Sequence, residues 1–187
     1  MTKLWGMLTA AFGLGFAFVP PASAQWVAHA SRADVFGNIT VDAVSMSSSG
    51  DGLVIQCNQK DSLKLAYIFP ATQDDVDKLV NSDEPLSTEL LIKVDQTAPR
   101  KLSANLKAWN DHYVGFVVSG RKRALVKVIQ AIGRADSSVD VGVDLDGHQQ
   151  TDSFNAGGST SAMTTVIKDC KLDDIKGKQT SADAKSQ

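Results

Sequence analysis

Three residues with side chains that can bind metal ions, His112, Asp144 and His148, are the first candidates for catalysis in this 187-residue chain. Asp144 and Asp146 lie on the same side of a predicted strand, and His148 follows directly after a predicted turn. Such a set could bind Zn²⁺ or Ca²⁺ and support a metal-dependent hydrolase. The alternative is a solvated strand that ends in an Asp-Gly hairpin turn, which needs no ligand. Because H-E-x-x-H and a complete EF-hand loop are absent, we favour the hairpin and expect no metal.

A second enzyme hypothesis places a serine nucleophile beside the glycine pair Gly157 and Gly158. Ser159 or Ser161 could lie next to free backbone N–H groups at a helix start, where an oxyanion would be stabilised, with a histidine as the base. The same residues also fit a simple cap, in which Ser159 begins the helix and the two glycines make the turn. Because G-x-S-x-G is absent, we expect Ser159 to be an N-cap and expect no catalytic residue.

Two further groups could bind a partner without catalysis. One predicted helix starts with a cluster of four cations: Arg121, Lys122, Arg123 and Lys127. Cations at the start of a helix interact unfavourably with the helix dipole, so these side chains could be present to bind an anionic lipid head group or an acidic protein. Alternatively, they could form an ordinary solvated face. Trp26 and Trp109 could form a ligand platform, or they could pack in the core or at its rim. No glycine-rich phosphate loop has the required spacing, and we expect no cofactor.

The N-terminal residues have the order of a secretory signal peptide. Lys3 precedes an uncharged apolar run over residues 4–19, and Ala22, Ser23 and Ala24 follow as an A-x-A cleavage site. The run is shorter than the roughly 20 residues that a spanning helix needs, so we expect cleavage after Ala24 instead of an N-terminal anchor. We therefore divide the chain into a signal peptide over residues 1–24, one β-rich globular domain over residues 25–170 and a disordered polar tail over residues 171–187.

Charge and hydropathy limit the classes of partner. The formal net charge of −2 argues against a general binder of nucleic acid or of anionic membranes, because both need a basic surface. No second apolar run is long enough to cross a bilayer, so we expect no integral membrane segment after signal cleavage. The expected location is the periplasm or the extracellular space, and the expected partner is a protein of the cell envelope or of a host.

The chain has two cysteines, Cys57 and Cys170, and both lie in the part that we expect to be exported. An oxidising compartment would let them form the one disulfide that two cysteines allow. Strand alternation places Leu53, Ile55 and Cys57 on the same face, so we expect Cys57 to point inward. Two buried free thiols are the alternative, and the absence of C-x-x-C argues against a redox-active pair.

Apolar periodicity predicts the fold class. Alternation predicts about eight short strands, and turn signals such as Asp146-Gly147 connect them as hairpins. Residues 72–81, where Thr72 and Asp75 resemble a capping box, form a short helix or a surface arm, and residues 121–132 and 159–170 form helices. The short connections leave no room for a doubly wound parallel fold. The expected class is α+β, a mainly antiparallel β-sheet or sandwich with two to three appended helices and one disulfide.

Residues 154–170, read as FNAGGSTSAMTTVIKDC, form the segment on which this fold depends. Phe154 ends a strand, and Gly157 and Gly158 turn the chain into the last helix. That helix has an apolar stripe at helical spacing: Ala162, Met163, Val166 and Ile167. Because Cys170 ends the helix and can pair only with Cys57, the segment is predicted to be a structural clasp instead of an active-site loop.

The order of these motifs resembles that of small proteobacterial envelope proteins. The motifs are L-V-I-Q-C at residues 53–57, L-I-K-V-D at 91–95, R-A-L-V-K-V-I at 123–129 and F-x-x-G-G-S-T-S-A-M at 154–163. The pattern looks like the invasion-associated locus B-like proteins and the type VI secretion-associated VasI/TagO-like proteins. This resemblance implies a β-rich periplasmic accessory or host-interaction protein, and it supplies no catalytic motif. We therefore expect a non-enzymatic binding protein that contacts its partner through a sheet edge or an exposed helix face.

Overall fold

The computed structural model describes residues 25–58, 62–81, 86–120, 123–145 and 147–172. The predicted signal peptide and the residues after 172 lie outside the described part of the chain, as do Arg121, Lys122 and Asp146. The described elements are, in order, β1 (Val27–Ala30), β2 (Thr40–Met46), β3 (Gly52–Asn58), β4 (Leu63–Pro70), α1 (Gln73–Val80), β5 (Ser87–Val94), β6 (Arg100–Asn110), β7 (Tyr113–Ser119), α2 (Arg123–Ile132), β8 (Ser138–Leu145), β9 (His148–Asn155) and α3 (Ser159–Asp169). None of the described helices is long and apolar enough to cross a membrane.

The described strands form one sheet in the order β1-β2-β3-β4-β7-β6-β5-β8-β9, and all of its neighbours are antiparallel. Strands β1 to β4 are successive neighbours. Helix α1 then connects β4 to β5, and the run β5-β6-β7 returns the chain so that β7 pairs with β4. Helix α2 leads to β8, which pairs with β5, and β9 ends the sheet. The expected fold class is confirmed, with a single sheet instead of a sandwich.

The main core lies on the face of the sheet that carries α2 and α3, which we call the inner face. Alternation along the strands places Leu53, Leu65 and Phe116 there, all with at most 1% of their surface exposed. The apolar side of helix α2 packs on the same core, where the side chains of Leu125 and Ile129 are fully buried. The inward orientation predicted for Leu53, Ile55 and Cys57 is confirmed, since each is 0% exposed.

The sheet curls until its two edges approach each other. Helix α3 follows β9 at one edge, yet it packs on β1 and β2 at the other edge. The backbone N–H of Trp26 donates to the carbonyl of Gly157 across the same gap, with an N···O distance of 2.8 Å. The hydroxyl of Tyr67 in β4 donates to Asp152 in β9 at 2.6 Å, although β7, β6, β5 and β8 lie between these strands in the sheet. A flat sheet would separate β4 and β9 by about 24 Å, so curvature is required for this contact.

The clasp closes this curled sheet. Cys57 of β3 and Cys170 after α3 form a disulfide between positions 113 residues apart, with their Cα atoms 6.2 Å from each other. Phe154 and the stripe residues Met163 and Val166 are fully buried. Packing continues beyond the predicted domain end at residue 170, because Leu172 is 0% exposed and belongs to the same core.

The prediction that Ser159 caps α3 is wrong. The N-cap is Gly158, which has a left-handed φ of 78° and makes no side-chain cap hydrogen bond. The helix therefore starts one residue earlier than a Ser159 cap would give, and Ser159 enters its first turn with 1% of its surface exposed. The capping box predicted from Thr72 and Asp75 is confirmed at the start of α1, because both of its reciprocal hydrogen bonds are present.

Asp95 connects the β5–β6 turn to the start of β8. Its carboxylate accepts hydrogen bonds from the backbone N–H groups of Asp136, Ser137 and Ser138 and from the Ser137 hydroxyl, at distances between 2.8 and 3.1 Å. These bonds hold the pKa of Asp95 well below its usual range, and the bond from the backbone N–H of Asp136 has the largest effect. A carboxyl group whose pKa is lowered in the folded state stabilises the fold above its unfolded pKa near 3.9, and this contribution disappears as the pH falls.

Replacing Asp95 by asparagine is therefore expected to lower the urea midpoint at neutral pH, and the difference from the wild type is expected to shrink below about pH 4. Asparagine keeps the shape of the side chain but has only one accepting oxygen and no charge. Urea unfolding at neutral and acidic pH measures the effect. Asp111→Asn, at an exposed turn position, is the matched control. If the urea midpoints of Asp95→Asn and the wild type differed equally at both pH values, the ionised Asp95 carboxylate would not be the source of the stabilisation.

Candidate functional site

The face of the sheet opposite α2 and α3, which we call the outer face, carries a second and smaller apolar cluster. It consists of four residues with exposed fractions of 0 to 5%: Val54, Ala66, Ile68 and Val117. Val54, Ala66 and Val117 lie in one row across β3, β4 and β7, as the strand register requires. The central strand β7 is therefore apolar on both faces, which explains why its sequence lacks an alternating pattern.

Trp109 packs against this cluster from the end of β6. The register between β6 and β7 shifts between Ala108 and Asn110, so a bulge lies at Trp109. Bulges re-aim the side chain that they carry. Trp109 and Tyr113 are partly buried against the apolar cluster, and Nζ of Lys64 lies 5.9 Å from the centroid of the Trp109 ring. That distance is within the range of a cation–π contact.

A groove of about 340 Å³ opens beside this ring, and we call it the Trp109 groove. Its lining residues come from β3, β4, β6 and β7: Gln56, Lys64, Lys107, Ala108, Trp109, Asn110, Val117 and Ser119. Gln56, Lys64 and Ser119 form a polar row across β3, β4 and β7, next to the apolar row that ends at Val117. The groove thus has one aromatic wall, two small apolar lining residues, Ala108 and Val117, and an otherwise polar lining.

The charge of the Trp109 groove is positive. Its lining includes two lysines and no carboxylate, whereas the whole chain has a formal net charge of −2. The ion pairs among the described residues are Lys93 with Asp140 and Lys101 with Glu89, so neither Lys64 nor Lys107 has a carboxylate partner there. An anionic group that enters the groove would gain these cations without displacing an existing ion pair.

Amide groups complete the rim. The Asn110 Oδ1 accepts the backbone N–H of His112 at 2.9 Å, so its amide N–H groups are the part that can donate to a ligand. The Gln56 Nε2 donates to Oδ1 of Asp42 at 2.8 Å, which fixes the orientation of its side chain. The groove therefore offers cations, hydrogen-bond donors and a ring face, a combination that can bind a ligand.

Comparisons with protein-family models, with curated proteins and with solved structures gave no match for this chain. Its candidate sites are therefore interpreted from their own geometry.

The structure does not bring His112, Asp144 and His148 together as a metal site. Asp144 and His148 lie on the β8–β9 hairpin, whereas His112 lies on the turn between β6 and β7. Within the described ranges, no group of three or more His, Cys, Asp or Glu side chains could hold a metal ion. The Asp144 carboxylate accepts from Nε2 of Gln149 and from the backbone N–H of Gly147, and these bonds, helped by His148, lower its pKa. This is the hairpin arrangement that we favoured.

The remaining predicted groups are separated in space. Ser159 is buried, and its hydroxyl has no hydrogen-bond partner among the described residues, whereas Ser161 is exposed on α3. Trp26 is buried in the core of the inner face and Trp109 packs on the outer face, so they cannot form one platform. Of the predicted basic cluster, Arg123 and Lys127 are exposed on α2.

A polar cluster that we did not predict lies where side chains of β9 meet Tyr67 of β4. We call it the seam cluster, and its members are Tyr67, Gln150 and Asp152. The Tyr67 hydroxyl donates to Oδ2 of Asp152 at 2.6 Å and accepts from Nε2 of Gln150 at 2.9 Å. The only sequence signal was strand alternation, which places Tyr67 and Asp152 on the inner face with Phe154 but does not show that they meet.

Proposed function

We propose that this chain is an exported, non-enzymatic binding protein of the periplasm or the extracellular space, and that the Trp109 groove holds an acidic segment of a protein partner. The observation on which the proposal depends is the groove itself, whose lining contains two lysines and one tryptophan and no carboxylate. The export pattern at residues 1–24 and the Cys57–Cys170 disulfide both fit an oxidising compartment.

The groove is a better contact surface than the helix face or the sheet edge considered from the sequence. Arg123 and Lys127 are exposed on α2, whose opposite side is in the core, and this is the ordinary arrangement of a surface helix. The edge strand β9 offers backbone groups, but most of its exposed side chains are polar and small or flexible. Interfaces obtain most of their binding energy from aromatic and cationic side chains in apolar surroundings, which here occur together at Trp109.

An acidic partner segment follows from the electrostatics of the groove. Lys64 and Lys107 lie on the same face of the sheet, on β4 and β6, and β7 is the strand between them. A carboxylate between them would form charge-assisted hydrogen bonds, while an apolar neighbour in the same peptide would contact Trp109. The acidic remainder of the chain would repel such a peptide elsewhere, so its approach would be directed to the groove. The resemblance to envelope proteins extends this proposal to an accessory role in secretion or in host interaction.

A random peptide library sorted against the oxidised chain tests the proposal. We expect the selected peptides to be rich in Asp and Glu with an interspersed apolar residue, and to bind more weakly as the salt concentration rises. The double variant Lys64→Gln/Lys107→Gln is expected to weaken them at least about tenfold, which corresponds to about 1.4 kcal/mol.

The matched control is Arg123→Gln/Lys127→Gln, which removes two cations from α2 and should leave binding unchanged. Selected peptides without acidic residues would contradict the proposal, and so would an equal loss of binding in both double variants. A larger loss in the α2 variant would assign the partner to the helix face instead.

A further inference from the structure

The connection between β1 and β2 presents two large apolar side chains to solvent. Val35 is 93% exposed and Phe36 is 80% exposed, the highest values among the large apolar residues that the structure describes. One exposed apolar side chain is ordinary at a protein surface, but two adjacent ones in the same turn form an apolar patch that a partner can cover. We call residues 34–38 the Phe36 tip.

The Phe36 tip is held in one shape by its own hydrogen bonds. Oδ1 of Asp34 accepts from the backbone N–H groups of Phe36 and Asn38, each at 2.8 Å, and Oδ2 accepts from Nδ2 of Asn38 at 2.9 Å. The backbone N–H of Gly37 donates to the carbonyl of Asp34, and the N–H of Asp34 donates to the carbonyl of Asn38, both at 2.9 Å. A turn that is already ordered loses little conformational entropy on binding, so its apolar side chains are pre-organised for a contact.

The composition of the Phe36 tip matches the segment that the Trp109 groove is proposed to hold. Asp34 is the one charged residue of the tip, two apolar residues follow it directly, and Arg32 lies outside the tip at the base of the loop. The groove offers Lys64 and Lys107 together with an aromatic ring. Its volume of about 340 Å³ is near the lower end of the range for ligand pockets, so it suits one or two large side chains.

We propose that the Trp109 groove of one copy of this chain holds the Phe36 tip of a second copy. The inference rests on the proposed function of the groove and identifies one partner for it. In this contact the ring of Phe36 packs against Trp109, and the charge of Asp34, which is exposed, lies toward the two groove lysines. Because the tip is exposed, it does not occupy the groove of its own copy.

The contact is heterologous, because the tip and the groove are different surfaces of the chain. The tip connects β1 and β2, whereas the groove is lined by β3, β4, β6 and β7. Each pair of copies therefore keeps one unused tip and one unused groove, and association continues to a ring or an open chain of copies. An acidic segment of another protein would compete with the tip for the groove, so binding of that protein is expected to separate the copies.

A lipid surface is a less suitable occupant for the tip. The tip contains an acidic residue and no basic one, and the formal net charge of the whole chain is −2. An anionic membrane would repel these charges, and a few apolar side chains anchor a protein weakly without a basic patch beside them. The lysines of the groove attract the same acidic residue.

Sedimentation velocity of the oxidised chain, purified after export, tests the contact at concentrations from about 10 μM to about 1 mM, where weak association is populated. We expect the average sedimentation coefficient to rise with protein concentration and to fall as salt is added. The variants Val35→Ser/Phe36→Ser and Lys64→Gln/Lys107→Gln should each associate at least about tenfold more weakly, because each lacks one half of the contact.

An equimolar mixture of these two variants is the decisive sample. One variant retains the groove and the other retains the tip, so the mixture is expected to form a dimer with one copy of each that grows no further. The variant Val35→Ser/Phe36→Ser should still bind the acidic peptides selected for the groove, since its groove is intact.

Two control variants should associate as the wild type does. Val80→Ser/Leu86→Ser removes two other exposed apolar side chains, which are 67% and 57% exposed, and Arg123→Gln/Lys127→Gln removes two cations from α2. Equal weakening in a control and in the corresponding tip or groove variant would overturn the contact.

Three further results would also overturn it. A wild type that stays monomeric at about 1 mM while its groove binds the selected peptides would end this inference and leave the proposed function standing. An associating wild type whose variant mixture stays monomeric would show that tip and groove do not meet. Binding of a monomeric wild type to vesicles of phosphatidylglycerol and phosphatidylcholine, lost in Val35→Ser/Phe36→Ser, would assign the tip to a lipid surface. If neither a second copy nor an acidic peptide bound the groove, the proposed function would fail as well.

Discussion

Replacing Cys57 and Cys170 by alanine is expected to lower the free energy of unfolding by about 4 kcal/mol. The two positions are 113 residues apart, so their disulfide restricts most of the described chain in the unfolded state. The loss of two buried sulfur atoms adds a smaller packing term, because both cysteines are 0% exposed.

Guanidinium unfolding of three samples separates these two contributions. The oxidised wild type retains the cross-link and the packing, the reduced wild type loses the cross-link alone, and the double alanine variant loses both. We expect the reduced wild type to show most of the destabilisation. If oxidised and reduced wild type unfold at the same denaturant concentration, the disulfide does not stabilise the fold and the clasp depends on packing alone.

The disulfide matters in this fold because, among the strands that the structure describes, no ladder of backbone hydrogen bonds joins the two edges of the sheet. Strand β1 pairs with β2 on one side only, and β9 pairs with β8 on one side only. The connections between these edges are the hydrogen bond from Trp26 to Gly157, the seam cluster, and α3 with its disulfide. Because β8 and β9 are connected to the rest of the sheet through β5, the clasp is what keeps the curled shape closed.

Local features of this architecture could be predicted because neighbouring residues determine them. The capping box of Thr72 and Asp75 depends on residues three positions apart, and it forms as predicted. The inward orientation of Cys57 follows from alternation within its own strand, so it is also correct. The short strand β1 was not predicted, because its four residues are stabilised by pairing with β2 and carry no periodic pattern of their own.

Long-range features could not be predicted, with one exception. The hydrogen bond between Tyr67 and Asp152 joins residues 85 positions apart, and nothing in either segment indicates the other. The Cys57–Cys170 contact was predictable only because two cysteines allow a single pairing. The Trp109 groove requires the pairing of β7 with β4 and a bulge in β6, both of which are properties of the assembled sheet. A sequence pattern could therefore name Trp109 as a candidate without placing Lys64 beside it.

The error at Ser159 leads to the second large prediction, because the turn before α3 depends on Gly158 instead. Gly158 has a φ of 78°, and a Cβ atom at this position would lie 2.6 Å from the carbonyl oxygen of Trp26. An L-residue would suffer backbone strain of about 1–2 kcal/mol there. It would also push against a backbone atom, which cannot rotate away as a side chain could, and such overpacking costs about 1–3 kcal/mol.

Gly158→Ala is therefore expected to lower the free energy of unfolding by about 2–5 kcal/mol, measured by urea unfolding under oxidising conditions. Gly37→Ala is a closely matched control, since Gly37 has a φ of 77° and no atom within 4 Å of its Cβ position. The control should lose about 1–2 kcal/mol from strain alone. The difference between the two variants then measures the contact between Trp26 and the start of α3. If both variants lose the same free energy, the two edges of the sheet tolerate separation at this point, and closure of the curled sheet depends on the disulfide and the seam cluster.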